Sequence, residues 1–368
     1  MIRKFSFLMI VLVVLSFGLV QAQDATEETT PAATETAPTT CQPGFHRFSH
    51  KLLATAPVCI PDNAKRIVAL DNSAVELLLY TDKQVVGTFD TYTKDELSAA
   101  LPPLAPKLAP ITGIGWPANL ELILSLKPDL IAAYNNETMP YDQLSKIAPT
   151  VIFNADIAQG GWEEDTEFWS EVFGVQDIYQ QMLATYNARV AELQQDLGPD
   201  RANTKVSLVL ASSYFNMIFT LDNPTSKIIA DVGLGRPASQ ALASDASLAA
   251  YQNKTYAYLS DETLNLADGD DIFVFTFPVL GDAVTASNQY LQDFESKPLW
   301  QSLNAVKSGH VYNASSAWTR GNTYLLANAV LDDLFKDLAH TTSKIPDPIT
   351  AFETAATPEA TAIATAAS

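Results

Sequence analysis

Residues 119–136, NLELILSLKPDLIAAYNN, read as a helix, a stop, a buried strand and a polar loop in direct succession. Asn119 opens the apolar helix LELILSLK, and Pro128 ends it, because a residue preceding proline is pushed out of helical geometry. DLIAAY then runs as a nearly continuous apolar strand, the pattern of a strand buried on both faces. Tyr134, Asn135 and Asn136 emerge at its carboxyl end, the edge at which open α/β sheets hold ligands.

The same unit repeats on either side. RIVAL (66–70) is a strand, and Asp71, Asn72 and Ser73 supply capping side chains for the helix AVELLLYT. QVVGTFD reads as a second strand, and the proline-rich LPPLAPKLAPITGIGWP as a connector. Beyond Asn136 come the helix DQLSKIA and the strand TVIFN. Strands alternating with helices over short connectors imply a parallel sheet with helices on its faces.

The rhythm changes after Trp162, where no strand pattern is found as far as Leu197. Ile178, Met182, Tyr186, Val190, Leu193 and Leu197 recur at helical spacing, so Val175–Leu197 reads as one helix of about 34 Å, ended by Gly198-Pro199. The alternation then resumes: strands KVSLVLAS and NMIFTL, helices TSKIIADVG and SDETLNLA, strand DIFVFTF, helix PLWQSLNAV, strand HVYNAS and a last helix around NTYLLANAVLDDLFKDL. The expected fold is α/β: two lobes, each a mainly parallel sheet flanked by helices, at 60–174 and 199–343, joined by one long interlobe helix at 175–198.

The termini speak to location. Arg3 and Lys4 precede an apolar run, Phe5–Val20, that is shorter than the roughly 20 residues of a bilayer span, so residues 1–22 read as a secretory signal cut near Ala22. No cysteine stands at that site to carry a bacterial lipoprotein anchor. The Thr-, Ala-, Glu- and Pro-rich segments that follow it and that close the chain (344–368) lack the apolar surface to offset their ordering entropy and read as a disordered tether and tail. In an exported chain the only two cysteines, Cys41 and Cys59, are expected to pair, closing an extension within 23–59 for about 3 kcal/mol. The net charge of −20, lowered by two more when Arg3 and Lys4 leave with the signal, repels phosphate backbones and argues against nucleic acid.

Catalytic patterns are missing: no Gly-x-Ser-x-Gly, no His-Glu-x-x-His, no glycine-rich phosphate loop. Of four histidines, His310 alone falls near a strand end of the second lobe, too few for a metal-capturing pocket or a secreted hydrolase. Aromatic and polar residues gather where strands end: Tyr92, Trp116, Tyr134, Tyr214, Asn216, Phe277, Trp318 and Arg320. Such a set suits a pocket that holds a ligand and does not transform it.

RIVALD, NLELILSLKPDLIAAY, LSKIAPTVIF, IIADVGLGRPA, LSDETL with DDIFVF, and PLWQSLNAVKSGHVYNASSAW, in this order from Arg66 to Leu338, resemble the blocks of the ABC-transporter solute-binding proteins for ferric siderophores, vitamin B12 and haem. The segment CQPGFHRF…PVCIP resembles an N-terminal extension found in some iron-siderophore binders. The resemblance implies a monomeric, extracytoplasmic receptor with its ligand in the interlobe cleft, small lobe motion, and no cofactor beyond the iron chelate it carries. It also implies one docking glutamate per lobe for arginines of the membrane permease, here Glu121 and Glu262, with ATP consumed by partner ATPase subunits. Among the family's ligands, a ferric siderophore of hydroxamate or mixed type fits an aromatic cleft with Arg320, and less directly Arg236, as its cations. Cobalamin would also suit stacked aromatics, and haem would need an axial ligand such as Tyr92 or Tyr134.

Overall fold

Asn119 accepts the Leu122 amide at 3.0 Å and so caps the helix Leu120–Ser125. Lys127 then takes a left-handed φ of 48° and turns the chain into the strand Leu130–Tyr134. The computed structural model describes residues 40–136, 139–158, 160–281 and 283–350. The expected signal segment, the tether up to residue 39 and the tail from residue 351 lie outside the described residues.

The described strands, in chain order, are β1 (Phe45–Phe48), β2 (Val58–Pro61), β3 (Arg66–Leu70), β4 (Gln84–Thr88), β5 (Thr112–Gly113), β6 (Leu130–Tyr134) and β7 (Thr150–Phe153), then β8 (Val206–Ala211), β9 (Asn216–Phe219), β10 (Tyr256–Leu259), β11 (Asp271–Phe275) and β12 (Val311–Asn313). The first lobe's sheet runs β5-β4-β3-β6-β7 with every pair parallel. The second runs β10-β9-β8-β11-β12. Here β9 is antiparallel to both β8 and β10, and toward β8 the connection from Ala211 to Asn216 is too short for a crossover. The fold is therefore the α/β pair of mostly parallel sheets expected from the alternation.

Each sheet reverses its order once. The chain moves outward from β3 to β4 and β5, then crosses back to lay β6 on the other side of β3. Adjacent loops leave β3 and β6 in opposite directions and open a crevice between them. A matching crevice opens between β8 and β11 in the second sheet.

A helix at Trp162–Phe173, ended by Gly174 in the left-handed region (φ 67°), precedes the long helix Gln176–Leu197. The long helix buries Tyr179, Met182, Tyr186, Val190 and Leu193. Trp162 stands edge-on to Tyr186 and tilted against Tyr324, both at 5.1 Å, so helices of both lobes share one aromatic seam. Strand β10 and the helices Trp162–Phe173, Ser244–Tyr251 and Ala283–Glu295 were not foreseen, and the proline-rich connector carries short helices as well as β5.

The Cys41–Cys59 disulfide closes the β1-β2 hairpin. Its loop lies along β7: the Ala54 amide donates to the Ile152 carbonyl at 2.8 Å and the Asn154 amide to the Leu52 carbonyl at 2.7 Å. The extension thereby covers an edge strand that would otherwise be open to foreign pairing.

One buried contact ties the lobes together. Glu76, 2% exposed on the first-lobe helix Asn72–Leu78, accepts the Thr323 hydroxyl at 2.6 Å and the Leu325 amide at 2.9 Å. Both donors lie at the start of the second lobe's last helix, Tyr324–Asp337. Burial pushes the Glu76 carboxyl up from 4.5 to about 7. Between those two values the folded chain holds more protons than the unfolded one, so this group's contribution to stability is greatest below pH 4.5 and declines as pH rises toward 7. The decline is on the order of 3 kcal/mol. We expect urea unfolding of Glu76→Gln to show a flatter stability profile between pH 5 and pH 8 than the native chain, and parallel profiles would contradict this account of the contact.

Candidate functional site

The crevice between β3 and β6 opens into a cavity of about 390 Å³. The first lobe supplies its floor from strand ends: Leu70, Asp71 and Asn72 after β3, Phe89 after β4, Tyr134 and Asn136 after β6, Phe153 and Ala155 after β7. Trp116 and Thr93 enter from loops, Asp165 from the helix Trp162–Phe173, and Arg320 with Asn322 from the second lobe. The lining is mixed: aromatic and apolar side chains share it with polar and charged ones, a concave arrangement that suits a small polar ligand.

Local sequence explains how the aromatics are held. Asp90 receives the Gly115 amide at 2.9 Å and anchors the loop that carries Trp116. Gly113 has to lack a side chain, since a Cβ there would collide with the Asp90 carboxylate. Trp116 packs edge-on against Phe89 at 4.9 Å and stays 38% exposed. Beside Tyr134, Asn135 bonds the Asp156 carboxylate at 2.6 Å and the Ala155 amide at 2.7 Å, joining the loops that follow β6 and β7.

An ion pair joins the two lobes at the cleft. Arg320 Nε donates to Glu96 Oε2 at 2.8 Å, from the second lobe to the first. Asp71 caps its helix by accepting the Ala74 amide at 2.9 Å, and burial raises its pKa to about 6. Burial also pushes Asp165 well above the ordinary carboxylate range, helped by the neighbouring carboxylates of Asp71, Glu164 and Glu163.

The structure brings Trp116, Tyr134 and Arg320 together in this cavity. Tyr92 falls in the helical turn Asp90–Asp95, next to the lining residue Thr93, and its side chain lies outside the described part of the structure. Tyr214, Asn216 and Phe277 stand at the corresponding crevice of the second sheet and do not line the cavity. Tyr214 is 84% exposed, Phe277 packs edge-on to Phe215 at 5.5 Å, and Asn216 donates to the Tyr290 hydroxyl at 2.9 Å.

Two expectations are corrected. Trp318 does not face the cleft: it is fully buried, stacked 4.5 Å above Phe273, with its indole N–H on Asp333 at 2.7 Å. The turn Ser316–Thr319 directs the ring back onto β11, where its large apolar area and its donor are both satisfied. Arg236 is also buried, bonded to Ser226, Gln240 and the Phe219 carbonyl, and burial alone lowers its pKa to about 9. It holds the lobe together and is out of a ligand's reach. Conversely, Asp71, Phe89, Asp165 and Asn322 were missed. Asp71 and Phe89 follow or end their strands as Tyr134 does, and Asp71 was read only as a cap.

Glu121 and Glu262 are exposed, each in the first turn of a short helix. Asn119 caps one, and a reciprocal Ser260–Thr263 capping box the other. A hydrogen bond from Ser260 lowers the Glu262 pKa, keeping that carboxylate ionised.

Residues 67–317 match the periplasmic binding protein family. The chain is 30% identical over 285 residues to the probable siderophore-binding lipoprotein YfiY of Bacillus subtilis (strain 168), covering 75% of this chain and 82% of that one. It is 27% identical to the iron(3+)-hydroxamate-binding protein FhuD of the same organism, over 73% of this chain and 79% of the relative. Among solved structures, Staphylococcus aureus SirA complexed with staphyloferrin B superposes with a TM-score of 0.65 at 25% identity, covering 80% of this chain and 98% of SirA.

The two tryptophans separate stability from the site. Trp318→Ala should cost about 3–5 kcal/mol in chemical unfolding, and Trp116→Ala less than about 1 kcal/mol. Equal losses would contradict the placement of Trp318 in the core and Trp116 at the cavity mouth.

Proposed function

This chain belongs to the periplasmic binding protein family, and on that premise we propose that it is the extracytoplasmic substrate-binding component of an ABC importer, taking a ferric siderophore into the interlobe cleft and delivering it to the membrane permease. The observation that carries the reading is the cavity itself, where Trp116, Tyr134 and Arg320 converge from two lobes on a space of about 390 Å³. The names of the relatives point the same way: a siderophore-binding lipoprotein, an iron(3+)-hydroxamate binder, and SirA with staphyloferrin B.

In this reading the protein binds and releases its ligand without chemistry, which the names of its relatives, all binding proteins, support. Trp116, Tyr134 and Tyr92 contact the chelate's organic shell, and Arg320 meets its negative edge. Tyr214, Asn216 and Phe277, on the second lobe outside the cavity, would meet a chelate that extends beyond it. Iron arrives as cargo, already wrapped by its chelator. Among the described residues no cluster of three or more histidine, cysteine or acidic side chains is placed to hold the bare ion.

Docking uses Glu121 and Glu262, one on each lobe, against arginines of the permease, while partner ATPase subunits consume the ATP. Two carboxylates on rigid, capped helices set orientation and make association sensitive to salt. Residues 1–22 direct export, and the chain acts as a monomer.

Titration of the purified mature chain with a ferric hydroxamate, followed by tryptophan fluorescence, should show saturable quenching. Trp116→Ala should weaken binding by roughly tenfold. A folded chain that binds no ferric siderophore would end this reading. For docking, Glu121→Lys with Glu262→Lys should abolish iron-chelate uptake in cells while the purified variant keeps its ligand affinity. Uptake at the native rate would remove the docking role.

A further inference from the structure

The geometry points to a second binding site, at the end of the first lobe's sheet opposite the cleft, that takes a phosphomonoester: the phosphate on a basic rim, the carbon skeleton on an apolar floor. Strands β3, β4 and β5 begin there, at Arg66, Gln84 and Thr112, whereas the cleft is built from residues that follow these strands. The three strand starts border a concave space of about 530 Å³. It shares no lining residue with the cleft, so the assignment stands apart from the receptor reading.

The charge of this space is one-sided. Arg66, Lys83 and Lys107 line it, and among the described residues no carboxylate does. Arg66 donates to the Leu126 and Lys127 carbonyls at 2.7 and 3.4 Å, and Lys83 to the Ala64 carbonyl at 3.1 Å, so both hold backbone and leave their charge unmatched. Lys107 is exposed and makes no hydrogen bond or ion pair among the described residues. The acids nearby are already engaged: Asp82 pairs with Lys65 at 2.7 Å, and Asp129 accepts the Lys65 and Arg66 amides at 2.8 and 2.9 Å. Partial burial and the Lys65 ammonium lower the Lys83 pKa from 10.5, a like-charge contact that a bound anion relieves. In a chain of net charge −20, three cations around one hollow do not follow from overall composition.

A phosphomonoester answers this rim group by group. It carries close to two negative charges near neutral pH on three acceptor oxygens. The Arg66 guanidinium retains N–H donors for one side of it, and the two lysines approach as point charges. Beneath them Leu78, Val85, Ile111 and Leu126 form the floor, which inorganic phosphate leaves wet and an ester covers with carbon. A free ester and a phospholipid headgroup present the same group, and the test separates the two sources.

The test is calorimetry on the mature chain with inorganic phosphate, butyl phosphate, and phosphatidylcholine vesicles with and without phosphatidic acid. Butyl phosphate should bind saturably and roughly tenfold more tightly than inorganic phosphate. Lys107→Glu should weaken it roughly tenfold or more, with native circular dichroism, because that side chain bonds nothing within the described fold. Lys146→Glu makes the same charge change at an exposed lysine elsewhere on the lobe and should leave binding unchanged. Binding only to vesicles that hold phosphatidic acid, with the same dependence on Lys107, keeps the site and makes a lipid headgroup its ligand. Equal affinity for phosphate and its butyl ester overturns the role of the apolar floor. Equal losses in the two lysine variants, or no binding of any probe by the folded chain, overturn the site.

Discussion

A carboxylate buried between the lobes fixes the geometry on which everything else depends. Glu76 belongs to the first lobe yet accepts the Thr323 hydroxyl and the Leu325 amide at the start of the second lobe's last helix, the latter a first-turn N–H that a helix cannot satisfy internally. Opening the lobes widely would break both hydrogen bonds. Trp162, Tyr186 and Tyr324 reinforce the joint with a shared apolar seam, and the long helix Gln176–Leu197 runs behind it. These contacts join the two walls of the cleft.

On that frame the site follows from topology. Reversal of strand order between β3 and β6 opens the crevice, and the residues just past these strands become its floor. Rings are held by backbone devices: the Asp90–Gly115 bond under Trp116 and the Asn135 bridge beside Tyr134. The Arg320–Glu96 pair spans the cleft, so the same contact that neutralises the cavity's cation also links the two walls.

Much of the fold was legible because apolar strands, caps and proline stops carry local signals. RIVAL, DLIAAY, TVIF and DIFVF are all strands, and the heptad-like spacing from Ile178 to Leu193 marks the long helix. What escaped lacked such signals. Strand β10, YAYL, alternates only over four residues, and the helix Ala283–Glu295 is polar on most of its surface. Trp116, Tyr134 and Arg320, singled out because they follow strands, line one cavity. Trp318 obeys the same rule in sequence but fails it in space, since side-chain direction after a short turn is set by packing against Phe273 and Asp333. Asp165 could not be read at all: it lies on a helix far from any strand end and reaches the cavity only through tertiary packing.

The most direct test is to locate the iron. Crystals of the mature chain grown with a ferric trihydroxamate, measured at the iron absorption edge, should show one anomalous peak in the cavity bounded by Trp116, Tyr134 and Arg320, with the Glu76–Thr323 contact intact. A peak elsewhere on the molecule, or a chelate bound only after the lobes separate and that contact breaks, would contradict the account.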